Sequence, residues 1–394
     1  MNIPGADTLL SAIVRWRSRS AQPPAINTTE GYACSQRILL VLTTGIGDAV
    51  FSTATFPNIR KAHATAEIRL FCRPAFFGLF AADPRLDGLI PYSGKYRRFF
   101  RTFNELKDYA ADLTIILNAN DPDIIPMLFL AGCRRIVRAA STKTRFQYLL
   151  ANRNRPEDAH DDSTIHYVDN RLRILDTLGI KSGEREPRVI LPPLAPDDPL
   201  RDLLPPASYW VYHAFSADHF KDWPQENIVP LLKKTRQRWP QLSIILTGAL
   251  KDKLKLESVV HSLSEPKSGP TSDPGVINLA GRLSLEESAQ LITRAACVVA
   301  PDTGILHLAA ALGTPVLGLY ASIDHKVAGP RPQASTQAII QKPITCASCL
   351  TDHCPYFPAT CMNQISVDEV LEGLEQIFAQ IQKGAALREN VRMN

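Results

Sequence analysis

The stretch from Ala296 to Tyr320 constrains the fold more than any other part of the chain. Ala296 to Ala300 is a short apolar run of the kind a strand buried on both faces shows. Asp302-Thr303-Gly304 follows, offering a helix cap and a glycine that lets backbone come close to a ligand. A small-residue helix containing Ala309, Ala310 and Ala311 is predicted next, stopping at Gly313 with Pro315 beyond it. Val316 to Tyr320 then resumes the strand pattern. A strand, a capped helix and a second strand place a helix N-terminus at the carboxyl end of a strand.

Open α/β sheets bind ligands at such places, and the N–H groups of a helix start favour an anion, most readily phosphate or pyrophosphate. On this motif alone two readings stand side by side. Asp302, Thr303, Gly304 and His307 form a ligand-binding turn, or they are an ordinary cap followed by a packed core histidine.

At 394 residues the chain is long enough for two α/β domains with filled cores. Its 45% hydrophobic and 21% charged residues are those of a globular protein, and no apolar run reaches the ~18 residues a membrane span needs. Residues 9–19 are too short for a signal peptide, carry arginine on their C-terminal side and lack a small-residue cleavage site. A cytoplasmic protein is expected. The segment reads as a frayed or partner-packed tail, or as a basic amphipathic helix on a membrane with Leu9, Leu10, Ile13 and Trp16 inward.

A net charge of +5 is modest for this length and gives no sign of a nucleic-acid partner. Lys95, Arg97, Arg98, Arg101 and Lys107 nevertheless cluster beside aromatics, as an anionic acceptor's dock or as a solvated helix face. Of eight cysteines, Cys34, Cys72, Cys133 and Cys297 read as small buried hydrophobes. The rest form Cys346-x2-Cys349-x4-Cys354-x6-Cys361, a reduced structural loop or a thiolate metal knuckle of non-standard spacing.

Taken in order, residues 1–35 are a leader, loosely ordered or lying on a membrane surface. Strands are expected at Ile38 to Leu42, Glu67 to Cys72, Leu89 to Pro91 and Leu113 to Leu117, with a long helix from Ala49 to His63 and others at Arg101 to Ala110, Asp123 to Ala131 and His166 to Leu178. A proline-rich break at Leu191 to Pro199 separates a domain over 36–195 from a second over 196–380. The second alternates strands at Tyr209 to His213, Ser243 to Leu246 and Val276 to Leu279 with helices at Pro224 to Trp239, Lys251 to Leu263 and Leu285 to Ala295. A Ser366-x-x-Glu369 capping box opens a last helix through Ile381, and 381–394 form a tail. The alternation predicts an α/β fold of two Rossmann-like domains, each with a doubly wound parallel sheet, and an interdomain cleft.

Gly45-Ile46-Gly47-Asp48 occupies the first strand-to-helix turn. A dinucleotide fingerprint would need glycine where Val50 stands, so a nicotinamide enzyme is disfavoured. Asp48 is a helix cap or, pointing into a cleft, a base for a hydroxyl nucleophile. In the second domain Ser216 and Lys221 follow the first strand, where an ammonium and a hydroxyl can hold a phosphate. Turns at Gly248, Gly281 and Gly304 fall on the same rim and describe a nucleotide-diphosphate shelf.

Lys221-x-Trp223-Pro224, Leu279-Ala280-Gly281-Arg282-Leu283-Ser284-Leu285, Asp302-Thr303-Gly304-x-x-His307 through Gly313-Thr314-Pro315, and the Gly47-Asp48 turn together resemble glycosyltransferase family 9, the lipopolysaccharide heptosyltransferases. The resemblance covers about residues 37 to 380 and is strongest after 209. It implies a GT-B fold with an acceptor-binding first domain and a donor-binding second. It also implies inverting, metal-independent transfer of heptose from ADP-heptose to an anionic inner-core glycolipid, at the inner face of the cytoplasmic membrane, with no cofactor.

Asp48 then matches the base, and Lys221 and Ser216 match donor-phosphate ligands. Asp302, Thr303, Gly304 and His307 match the donor turn, and Leu283 falls where the adenine is flanked. Gly47, Arg97 and Arg98 are the acceptor-side candidates. The turn after Gly248 departs from the pattern: where the family often carries a ribose-binding acid, this chain offers only Asp252, displaced along the turn. Two alternatives stay open: a relative using another nucleotide sugar or a protein or other glycan acceptor, and a non-catalytic sugar-nucleotide-binding scaffold.

Overall fold

The computed structural model describes residues 6–20, 32, 34–138, 146–153, 164–263, 275–320, 323–331, 336–342 and 360–392. The chain divides into two compact units, Met1–Leu191 and Pro192–Asn394.

The first unit is built on a parallel sheet of β1 (Arg37–Leu42), β2 (Glu67–Cys72), β3 (Gly88–Pro91), β4 (Leu113–Asn118) and β5 (Ile136–Arg138), in the order β3-β2-β1-β4-β5. Its helices are α1 (Ala6–Ser20), α2 (Ile46–Ser52), α3 (Phe56–Ala62), α4 (Phe77–Phe80), α5 (Phe99–Tyr109), α6 (Ile124–Leu130) and α7 (Tyr167–Thr177). β1 is central, and all but its first residue are buried, which is why it reads as an unbroken run of branched aliphatics.

The long helix expected from Ala49 to His63 is in fact broken. α2 ends at Ser52, a 3-10 turn spans Thr53–Thr55, and α3 restarts at Phe56. The cause is local. Hydroxyls of Ser52, Thr53 and Thr55 bond back to the carbonyls of Asp48, Val50 and Ser52, and Pro57 has no N–H to continue the ladder. Three-residue β5 was too short to show as a strand in sequence. Within the leader, residues 6–20 fold as α1, whose Leu10 and Val14 are buried in the core that also holds Leu128 and Leu150. Asp7, in its first turn, pairs with Lys95 at 3.2 Å and accepts from the Tyr96 hydroxyl.

The second unit carries β6 (Tyr209–His213), β7 (Ser243–Thr247), β8 (Val276–Asn278), β9 (Val298–Pro301), β10 (Val316–Tyr320) and β11 (Gln337–Gln341), parallel throughout in the order β11-β10-β9-β6-β7-β8. Around it lie α8 (Leu200–Leu203), α9 (Ile228–Arg238), α10 (Lys253–Leu263), α11 (Leu285–Ile292), α12 (Gly304–Ala311), α13 (His325–Ala328), α14 (Thr360–Asn363) and α15 (Val367–Arg392). The capping box on α11 is present: the Ser284 hydroxyl accepts from the Glu287 N–H, and the Glu287 carboxylate accepts from the Ser284 N–H.

Three expectations shift. Pro224 precedes a 3-10 turn at Gln225–Asn227, so α9 starts at Ile228 rather than at the proline. β11 is an edge strand that periodicity did not show. α15 runs to Arg392, past Ile381. Its Val370, Leu374 and Ile377 are buried, the Phe378 ring meets Trp239 edge-on at 4.8 Å, and the Trp223 indole N–H donates to the Ile365 carbonyl just before α15.

Each sheet is doubly wound, with strand order reversing between β1 and β4 in one and between β6 and β9 in the other. Those reversals are where ligands bind in such sheets. One turn on the second unit's rim tolerates only glycine. Gly281 has φ +70°, and a Cβ there would lie 2.6 Å from the Leu250 Cα. Gly281→Ala is expected to cost about 2–3 kcal/mol through positive-φ strain and a backbone clash, read as a lower urea midpoint at unchanged slope.

Candidate functional site

In the second unit the sequence brings Lys221 and Asp302 to the β6/β9 reversal. Lys221 closes a 3-10 turn, His219–Lys221, just after β6. Its Nζ lies 3.1 Å from Asp302 Oδ2 and 3.3 Å from Asp218 Oδ2. Asp302 follows β9, and its other oxygen lies 3.3 Å from His307 Nε2 on α12. Burial opposes the charge on both groups. It is outweighed at Asp302 by hydrogen bonds from His307 and Lys221, which hold the carboxyl below the usual carboxylate range. At Lys221 the two carboxylates hold the ammonium above its ordinary value.

Asp302 is therefore not the helix cap that its position offered. The residue at the N-cap is Thr303, in extended backbone, and its side chain makes no capping bond. Its hydroxyl is buried without a hydrogen-bond partner among the described residues. Gly304 opens α12, whose first N–H groups have no intrahelical acceptor. An ammonium, an unused hydroxyl and a helix N-terminus thus share one rim, and all three suit phosphate oxygens. His307 is buried, so it is a core histidine and a partner of Asp302 at once.

Ser216 is buried beside them. Its hydroxyl donates to the Asp218 carbonyl at 2.6 Å and accepts from the Asp218 N–H at 2.9 Å, while its own N–H donates to Asp222 Oδ1. Those bonds shape the turn that carries Lys221.

A cavity of about 200 Å³ adjoins the rim, lined among others by His213, Thr247, Ala249, Leu283 and Ile305. It is mainly apolar with three polar side chains, His213, Thr247 and Ser288, a lining that suits a flat heteroaromatic ring. His213 Nδ1 lies 3.0 Å from the Thr247 hydroxyl, and burial pushes the imidazole down to about 4, so it stays neutral near pH 7. Leu283 lines this cavity. Asp252 is not available to a ribose: it is buried, and its carboxylate accepts from the Ala249 N–H at 2.9 Å to shape the turn after Gly248.

In the first unit Asp48 lies in the first turn of α2, half-buried, with Gly47 before it. Arg171 on α7 holds it: Nη2 donates to Asp48 Oδ1 at 2.9 Å, and the Arg171 side chain is 14% exposed. Sequence reasoning missed Arg171, because one arginine on an amphipathic helix carries no local sign of a partner so distant in the chain. Arg97 and Arg98 lie on an exposed turn after β3, and β2 separates β3 from β1, the strand that leads into α2 and Asp48. Arg98 is the left-handed N-cap of α5.

Cys72, Cys133 and Cys297 are buried, and burial raises the first two thiols to about 12. Cys34 is exposed, against expectation, because the turn before β1 lies outside the apolar run. Cys346, Cys349 and Cys354 fall outside the described residues, and Cys361 is buried. Among the described residues no group of three or more His, Cys, Asp or Glu is placed to hold a metal, and no helix is long and apolar enough to cross a membrane.

Two doubly wound parallel sheets, one with Lys221 and a helix N-terminus on a rim beside a mainly apolar cavity, give an α/β protein with a GT-B-like fold. The chain belongs to glycosyltransferase family 9, the heptosyltransferases, whose family model matches residues 137–359, more than half its length. It is 23% identical over 302 residues to the lipopolysaccharide core heptosyltransferase OpsX of Haemophilus influenzae, covering 72% of this chain and 78% of that one. Its fold matches E. coli ADP-heptose lps heptosyltransferase II with a TM-score of 0.67 at 18% identity, over 88% of this chain and 99% of the other. It also matches E. coli heptosyltransferase WaaC with ADP-2-deoxy-2-fluoro heptose, with a TM-score of 0.59 at 19% identity, over 86% and 99%. The chain is a glycosyltransferase.

Proposed function

We propose that this glycosyltransferase moves a heptose from ADP-heptose to an anionic inner-core lipopolysaccharide acceptor, with inversion at the anomeric carbon. The acceptor belongs to the domain over 36–195 and the donor to the domain over 196–380. The observation that carries the donor half is the rim of the second unit, where Lys221, the unpartnered Thr303 hydroxyl and the Gly304 end of α12 adjoin the cavity at Leu283. The pyrophosphate would take the rim and the adenine the cavity, with His307 keeping Asp302, and through it Lys221, in place. Ser216 holds the turn that presents Lys221.

Asp48 takes the proton of the acceptor hydroxyl as its oxygen forms the new bond to the anomeric carbon. The bond from that carbon to the phosphate oxygen breaks, and ADP leaves with the electron pair. Lys221 and the N–H groups at the start of α12 stabilise the charge that develops on the departing diphosphate, a task fixed dipoles and an ammonium can perform without a divalent ion. Gly47 leaves room beside the base, and Arg97 and Arg98 would attract acceptor phosphates. What supports heptose and ADP is the relatives' named donors and acceptors; the glycolipid acceptor sets the work at the inner face of the cytoplasmic membrane.

The test is nucleoside diphosphate release by the purified chain, given a panel of nucleotide sugars with an inner-core acceptor stripped of its outer heptoses. ADP released with ADP-heptose only when acceptor is present is the expected result. Release with another nucleotide sugar alone, or transfer to protein and not to the core, would replace this reading.

A further inference from the structure

α1 has two apolar stripes, and among the described residues one of them is buried in the core while the other is exposed. Leu10 and Val14 turn into the first unit's core. Leu9, Ile13 and Trp16 recur at i, i+4 and i+7 on another face and are 64%, 42% and 70% exposed. Helical spacing puts Arg15 and Arg19 on one flank of that stripe and Arg17 on the other, and all three are exposed. The sole acid in α1 is Asp7, which is engaged by Lys95 and the Tyr96 hydroxyl. That same link lays the start of α1 beside the turn leading into α5, where Phe100 is 80% exposed next to Arg97 and Arg98. Residues 95–101 contain no acid, although Arg101 pairs with Glu105 on α5.

We infer that the outward face of α1 is a docking surface for an anionic phospholipid bilayer, lying in the plane of the headgroups with Leu9, Ile13 and Trp16 dipped among the acyl chains. Charge complementarity selects this occupant. The apolar stripe is walled by guanidinium groups on both sides with no acid free among them, so it matches a surface that is negative everywhere rather than a partner with a fixed pattern of charges. Arginine stems can lie along the apolar boundary while their heads stay at phosphate depth, and tryptophan favours the same interface. At 15 residues α1 is too short to span the membrane, but long enough to lie on it. The inference deepens the glycolipid-acceptor reading: a lipid-borne acceptor is confined to the same surface. Binding is measured without donor or acceptor, so a failure here and a failure of that reading are seen separately.

The experiment is co-sedimentation of the full chain with vesicles of phosphatidylcholine alone or mixed with phosphatidylglycerol. Binding is expected only to the mixed vesicles and should fall as salt rises. Arg15→Gln/Arg17→Gln/Arg19→Gln should weaken it about 10²-fold, from ~1 kcal/mol, or about fivefold, per basic residue at an anionic surface. Leu9→Ser/Ile13→Ser/Trp16→Ser should weaken it at least about tenfold, since each side chain loses an apolar site. Both variants keep Leu10 and Val14, so their melting temperatures should match the parent. Brominated acyl chains should quench a share of the tryptophan emission that Trp16→Phe removes. Equal binding to both kinds of vesicle, or a serine variant that binds like the parent, overturns the inference. So does a parent that is dimeric where the serine variant is monomeric, which assigns the face to a second copy of the chain.

Discussion

Asp48→Ala is expected to lower the turnover number by about 10²–10⁴-fold, the usual contribution of a positioned general base, while donor affinity stays within about twofold. The asymmetry follows from placement. Asp48 sits in the first turn of α2 in the first unit, and the rim proposed to hold the pyrophosphate is built in the second. Removing the carboxylate leaves every group of that rim in place. Arg171 provides the companion experiment. It donates to Asp48 Oδ1 at 2.9 Å and so fixes the carboxylate's orientation. Arg171→Ala should lower turnover about tenfold, Arg171→Lys should restore part of the loss, and the double variant with Asp48→Ala should be no slower than Asp48→Ala alone. A double variant that is slower by the product of the two effects would give Arg171 a role independent of Asp48. Retained turnover in Asp48→Ala would remove it as the base.

Both sheets were legible because buried parallel strands have no alternative but to be continuous and apolar: Ile38 to Leu42, Tyr209 to His213 and Val316 to Tyr320 stand almost where the sequence put them. The motif residues were legible as types at turns. Their pairings were not, because a side chain's partner is set by tertiary contacts across many residues. Asp302 illustrates this: its place before α12 offers a cap, yet its carboxylate pairs with Lys221 and His307 instead. Asp252 illustrates the reverse, a candidate ligand used by its own turn. Arg171 had no local signature, and the break at Thr53–Thr55 came from hydroxyls bonding back to carbonyls, which a hydrophobic pattern does not register. The two stripes of α1 share one period, so the sequence could not say which of them the core would take.

Asp302→Ala should do the most damage to the second unit, to stability and donor binding together. The carboxylate accepts from Lys221 and His307 and is nearly enclosed, with its side chain 10% exposed. Breaking a buried pair by removing one partner costs ~3–5 kcal/mol, and the lower end applies here because Lys221 is 22% exposed and keeps Asp218 at 3.3 Å. The pH dependence has a definite sign. The Asp302 carboxyl is held below the usual range in the fold. Its contribution is therefore fully present above the unfolded value of about 3.9 and is lost as pH falls through the lower folded value. Melting curves of parent and variant should thus differ most near neutrality and converge in strong acid. Lys221→Ala should leave stability closer to the parent but reduce kcat/KM for the donor by about 10–150-fold, the ~1.5–3 kcal/mol of a charge-assisted bond to phosphate. With Lys221 gone, Asp302 keeps His307 as its ion partner among the described residues and presents its negative charge to the pyrophosphate, so removing both Lys221 and Asp302 should bind donor better than removing Lys221 alone. Calorimetric titration with ADP across the three variants decides the matter: a double variant weaker than Lys221→Ala would mean that Asp302 serves the donor directly rather than through the lysine.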